Sequence, residues 1–224
     1  MKEITLERPA PAIAVIRLDR PEQRNAMNSS MLAEIEDALA QLEGDAELRV
    51  LIFSTTSTRA LCAGADVSEQ LDHAGGVARV EAFARLYAGV SRFPLPTIAV
   101  CVGNVVGAGA ELACACDLRV AGGNLKLMFP GAKLGVPVGP ARLTPLVGLS
   151  KAKEWVMTSK LVGADEADRH GFCAARVPED EADAAALAIA ETLCGQSANG
   201  LRHLKALFAE NEHLVERTAN ENEH

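Results

Sequence analysis

The chain has 224 residues, 49% apolar, 23% charged and only 4% aromatic. These are ordinary globular values with room for one domain or one domain and an appendage, and they require a core built mostly of Ala, Val, Leu and Ile. A formal net charge of −8 argues against unaided nucleic-acid binding, which needs a basic surface, but not against an anionic small ligand held by local cations or helix N-termini. No apolar run approaches the ~18 residues of a membrane span, and the opening MKEITLERP has no apolar signal core, so the expectation is a cytoplasmic protein with no membrane partner.

EITLER and AIAVIRLD, separated by PAP, are short and β-rich and read as a hairpin or two adjacent strands. The polar loop RPEQRNAMNSS follows, with Ser29 or Ser30 as the expected cap of a helix that carries Leu32, Ile35, Leu39 and Leu42 on one face. LRVLIFSTT reads as a buried strand. The bare stretch ALCAGADV comes next, and then an amphipathic helix with Val80, Phe83, Leu86, Tyr87 and Val90 on one side. TIAVCVG is the next buried strand and runs into NVVGAGAELACACD, a small-residue turn followed by a helix. LRVAG and KLMF are short strands, PARLTPLVG and SKAKEWVMTS are short helices divided by Gly148, DEADRHG is a helical turn and AARV a last strand. From EDEADAAALAIAETLCG onward the chain reads as helix, with a boundary between a core (1–197) and a C-terminal helical region (198–224). Alternating strands and helices indicate α/β architecture with ligands near the strand ends.

The six cysteines (62, 101, 114, 116, 173 and 194) lie among apolar neighbours. They read as reduced core residues, and no nearby His completes a metal set.

Two segments share one grammar: a buried strand, a Gly/Ala turn, then a helix, over 49–70 and 97–117. Close packing of helix on strand accounts for such turns. So does a chemical use, because Gly and Ala leave peptide N–H groups sterically open and the first N–H groups of a helix have no intrahelical partner. Two such turns aimed at one oxygen make an oxyanion hole, in which each donor is worth roughly 3 kcal/mol of barrier.

LDRPEQRNAMN, ALCAGADVSE, LPTIAVCVGNVVGAGAELACACDLRVA and GLSKAKEWVMTSKLVGADEADRHGFCAARV resemble, in that order, the successive motifs of the crotonase superfamily, the enoyl-CoA hydratase/isomerase family. The resemblance implies a spiral of ββα units with a C-terminal helical region, a homotrimer or dimer of trimers, and an acyl-CoA substrate. Coenzyme A is then part of that substrate, and no separate cofactor or metal is needed. Carried over by position, the oxyanion donors are the backbone N–H groups of Ala63 and Ala108, and Glu111 is the acid/base. By itself Glu111 also reads as an N-terminal helix carboxylate answering the macrodipole. Glu22, Arg24, Ala63, Gly64, Ala65, Asp66 and Gly107 would line the substrate and its CoA moiety, with Asp66 doubling as the cap of a helix starting there.

The sequence departs from the family pattern where hydratases place a second glutamate. The segment reads FPGAKLG, and the matching position is Gly131. Loss of a general acid/base typically lowers rates about 10²- to 10⁴-fold, so thioester-enolate chemistry is better supported than hydration. Decarboxylation or carbon–carbon cleavage is one alternative, and a non-catalytic CoA-binding homologue another. Lys133 and Arg142 read as solvated side chains or partners of an acidic acyl group, His73 as a loop residue, Asp168 and His170 as structural, and Trp155 and Met157 as core or subunit contacts.

Overall fold

The N-terminal hairpin forms as its composition dictates: β1 (Ile4–Ala10) pairs antiparallel with β2 (Ile13–Leu18). The computed structural model describes residues 2–136 and 138–222. From β2 the sheet continues in parallel through β3 (Val50–Thr55), β5 (Thr97–Cys101), β7 (Leu118–Gly122) and β9 (Ala175–Val177), in the order β1-β2-β3-β5-β7-β9. A smaller parallel sheet has the order β4 (Ala60–Cys62), β6 (Asn104–Val106), β8 (Lys126–Met128). Each pass of the chain therefore lays one strand in each sheet and returns through a helix. The passes are β3–β4–α2 (His73–Arg92), β5–β6–α3 (Ala108–Ala115) and β7–β8–α4 (Gly131–Leu134). This is the spiral of ββα units that the resemblance implies.

The central strands are apolar on both faces, as a covered parallel sheet requires. Alternation sends Leu51, Phe53, Ala99 and Cys101 into the main core, and Val50, Ile52, Ile98 and Val100 into a second one. The second core is closed by α8 (Ala182–Cys194), whose Ala182, Ala186 and Ala190 recur at helical spacing and pack flat on the sheet. Phe53, Phe129, Trp155 and Phe172 are fully buried, each worth about 1.5–3 kcal/mol of transfer free energy. Cys62, Cys101, Cys114 and Cys116 are buried, and burial pushes the Cys62 and Cys116 thiols up to about 12.

Helix α1 (Ser29–Glu43) buries Leu32, Ile35, Leu39 and Leu42 as expected, but its cap is Asn28, whose Oδ1 accepts the Met31 N–H at 2.9 Å. Helix α2 buries Leu86, Tyr87 and Val90 but leaves Val80 exposed. It is capped by Asp72, which accepts the Gly75 N–H at 2.7 Å. No helix starts at Asp66, so the strand–turn–helix grammar holds for the second turn and fails for the first. Helices α5 (Pro140–Val147) and α6 (Leu149–Met157) meet at Gly148, and α7 (Ala164–Arg169) precedes β9. Helix α9 (Ala198–Asn211) opens under a Ser197 cap and leads into α10 (Leu214–Asn222). Among the described residues no helix is long and apolar enough to cross a membrane.

Candidate active site

The first bare turn is stitched to the 20–27 loop. Ala63 donates its N–H to the Arg24 carbonyl at 3.0 Å, Met27 donates to the Gly64 carbonyl at 2.8 Å, and Asp66 donates to the Met27 carbonyl at 2.8 Å. Two consequences follow. The Ala63 amide is already engaged, so it is not the oxyanion donor expected at that position. Met27 also forms a parallel bridge with Ala65 using only the groups of Gly64 and Asp66, which leaves the Ala65 N–H on the opposite edge. Among the described residues, the Ala65 N–H is thus the amide of this turn without a backbone acceptor.

The second turn ends at Ala108, the first residue of α3. The first bond of that helix runs from the Glu111 N–H to the Gly107 carbonyl at 2.9 Å, so the Ala108 N–H belongs to the set that a helix leaves unsatisfied. The turns abut. Gly64 has φ 116° and Gly107 φ 51°, a Cβ on Gly64 would lie 3.4 Å from the Val106 carbonyl oxygen, and one on Gly107 would lie 3.9 Å from Gly64 Cα. Both positions favour glycine for their positive φ, while a Cβ at either would meet only ordinary contacts.

Glu111 sits in the first turn of α3 with only 2% of its surface exposed. Its Oε2 accepts a hydrogen bond from Nη1 of Arg142 at 3.1 Å, and Arg142 is itself only 6% exposed. The Arg142 guanidinium lies 5.1 Å from the centre of the Tyr87 ring, within cation–π range. Three helices thus contribute one layer each: Tyr87 from α2, Arg142 from α5 and Glu111 from α3. Arg142 is not the solvated side chain that the sequence led us to expect, and position 142 carries no periodicity or motif that would have shown it. Lys133 is exposed, as expected.

Gly131 is buried at the start of α4. Its carbonyl accepts the Val136 N–H at 3.0 Å, and a Cβ at 131 would lie 2.3 Å from the Val136 carbonyl oxygen. Backbone therefore closes tightly around the residue that the resemblance aligns with a second acid.

Asp66 caps a turn and not a helix. It accepts from the Ser68 hydroxyl at 2.6 Å and N–H at 3.0 Å, and from Nη1 of Arg20 at 2.9 Å. The Ser68 hydroxyl bond, with Arg20 beside it, holds its carboxyl below the usual range. Sequence reasoning missed Asn25, which is wholly buried at φ 53°. Its Nδ2 donates to Thr55 Oγ1 at 2.7 Å and to the Ala60 and Leu61 carbonyls at 3.1 Å, while Oδ1 accepts the Arg20 N–H at 2.7 Å. Glu22, Arg24 and His73 are exposed, the first two on the loop stitched to the Ala65 turn. Trp155 is core, in edge contact with His170, and Met157 is 71% exposed. A cavity of about 810 Å³ between α2, α5, α9 and α10 is lined by Phe93, Pro94, Arg142, Lys205 and Leu214, and by none of the residues of the two turns.

Comparison with known proteins fits this architecture. A profile described as enoyl-CoA hydratase/isomerase matches residues 8–224. A probable enoyl-CoA hydratase of Mycobacterium bovis is 34% identical over 196 residues, covering 86% of this chain and 76% of that protein. A short-chain-enoyl-CoA hydratase of Clostridium acetobutylicum is 32% identical over 169 residues, covering 71% of this chain and 63% of that one. The crystal structure of a probable enoyl-CoA hydratase from Mycobacterium smegmatis superposes with a TM-score of 0.88 at 28% identity, over all of this chain and 91% of the other. The spiral fold, the order of the motifs and these likenesses agree: the chain belongs to the enoyl-CoA hydratase/isomerase family.

Proposed function

We propose that the protein polarises an acyl-CoA thioester between the N–H groups of Ala65 and Ala108 and moves a proton on the resulting enolate with Glu111. The observation that carries this reading is the contact of the two glycine turns, each with an open amide, beside one buried carboxylate. In the proton-transfer step the Glu111 carboxylate takes a proton from the carbon next to the thioester. The C–H electron pair becomes a carbon–carbon π bond, and the carbonyl π pair moves onto the oxygen, where the two amides meet it. With a 3-enoyl thioester the enolate is a conjugated dienolate, and return of the proton to its γ-carbon moves the double bond into conjugation with the thioester. Hydration would need a proton at one carbon and an activated water at the next, and position 131 offers no carboxylate to share that work.

Glu22 and Arg24 lie on the loop that would take the CoA moiety, with Arg24 suited to a phosphate. Gly64, Asp66 and Gly107 shape the thioester end. Coenzyme A enters as part of the substrate. We place the enzyme in the cytoplasm as a homotrimer or dimer of trimers, in line with the family resemblance.

The test is exchange of the α-protons of butyryl-CoA with D2O, followed by mass spectrometry. Wild type is expected to exchange them, and Glu111→Gln to be slower by about 10²- to 10⁴-fold. Exchange at the wild-type rate in Glu111→Gln refutes the role of Glu111. The closed position at Gly131 favours one second reading, decarboxylation or carbon–carbon cleavage, in which the same amides hold an enolate formed by loss of a carbon substituent. Turnover of a malonyl-type thioester without α-proton exchange would select it.

A further inference from the structure

We infer that Arg142 is the positioning residue of this site, fixing the Glu111 carboxylate and supplying its counter-charge. The inference rests on the acid/base role of Glu111 proposed above. Nothing in the family resemblance assigned Arg142 a role; its burial and its contacts do.

Arg142 sits in the first turn of α5, directly after the segment that closes over Gly131. The Leu143 N–H donates to the Gly139 carbonyl at 3.1 Å and Gly139 has φ 114°, so the chain enters α5 through a sharp turn just before Arg142. That turn aims the guanidinium inward, between the Tyr87 ring at 5.1 Å and Glu111 Oε2 at 3.1 Å. A buried carboxylate is retained as a charged group only beside a compensating charge. Arg is suited to that place because it keeps its proton at all working pH values and presents its donors in a rigid plane. The ring on one side and the carboxylate on the other confine the guanidinium, and its bond to Oε2 anchors that carboxylate oxygen. A base that must reach a carbon-bound proton gains from such fixation, since misplacement by about 1 Å can lower the rate 10²-fold.

The test compares Arg142→Gln, Arg142→Lys, Glu111→Gln and the Glu111→Gln/Arg142→Gln double variant by butyryl-CoA α-proton exchange, with kcat and KM measured separately. Arg142→Gln is expected to lower kcat by about tenfold or more with KM within about threefold, because the residue acts on the transition state through Glu111 and not on ground-state binding. Arg142→Lys restores part of kcat, since it returns the charge without the planar fork. In the Glu111→Gln background the loss of Arg142 lowers kcat no further, the non-additivity expected of two groups acting as one. Wild-type kcat in Arg142→Gln, with Glu111→Gln impaired, overturns the inference and leaves the Glu111 reading standing. Wild-type exchange in Glu111→Gln overturns both. Should Arg142→Gln fail to fold, Arg142→Lys decides: a reduced kcat at unchanged KM supports the positioning role, and an unchanged kcat refutes it.

Discussion

Adding a single methyl at Gly131 is expected to destabilise the protein well beyond an ordinary Gly→Ala change. The new Cβ would lie 2.3 Å from the Val136 carbonyl oxygen, whereas ordinary contact begins at 3.4 Å. The obstacle is backbone, so it cannot rotate away as a side-chain tip does, and the turn must open by about 1 Å. Overpacking of this kind typically costs about 1–3 kcal/mol. Opening the turn also strains the Val136 N–H bond to the Gly131 carbonyl, now 3.0 Å, worth about 1 kcal/mol more. At about 2–4 °C per kcal/mol for a chain of this size, Gly131→Ala should lower the midpoint of thermal unfolding by about 4–16 °C. Circular dichroism melting measures it. A midpoint within about 1 °C of wild type would show that the 131–136 turn yields freely and that the geometric reasoning is wrong. The same clash governs Gly131→Glu, which is expected to lose stability comparably and to gain no hydration of crotonyl-CoA, because its carboxylate cannot enter the closed position.

Asn25→Ala removes four hydrogen bonds, three of them buried, and leaves alanine at φ 53° without the local bonding that lets Asn adopt it. A loss of about 2–5 kcal/mol in urea unfolding is expected, and a loss under about 1 kcal/mol would show that these bonds do not hold the loop. Asp66 has a depressed folded-state value, so its stabilisation is present above the unfolded carboxylate range and is lost as pH falls through the folded value. Asp66→Asn should therefore be less stable than wild type at neutral pH, with the difference shrinking below about pH 4; a difference that does not vary with pH contradicts this. Gly76 lies inside α2 with open space around a built Cβ. Gly76→Ala should raise the melting midpoint by the equivalent of about 0.5–1 kcal/mol, and a lower midpoint would count against that helix as described.

The long apolar strands were legible because a covered parallel sheet leaves its mark in every residue: Val50 to Phe53 and Ile98 to Cys101 alternate between two cores without a polar break. Strands β4 and β6 were not legible, since three residues cannot display a period, and so Ala60–Cys62 read as part of a bare turn. The choice between Ala63 and Ala65 depended on which face of the turn Met27 covers, a contact across 38 residues of chain that no local pattern encodes. Glu111 was singled out through its motif, and its burial was not legible from it. Arg142 was not, because its burial is made jointly by α2, α3 and α5, and nothing in PARLTPLVG distinguishes an inward-pointing arginine from a surface one.

The stitching of the 20–27 loop to the Ala65 turn has a mechanical consequence. Arg24, Met27, Arg20 and Asp66 join the 20–27 loop to the Ala65 turn, which the function proposed above gives to the nucleotide end and to the carbonyl of the substrate. On that proposal, grip on the adenine–phosphate handle would be convertible into alignment at the reacting bond, as remote binding energy is elsewhere. Short thioesters stripped of that handle should turn over more slowly even at saturation, and not merely bind less tightly.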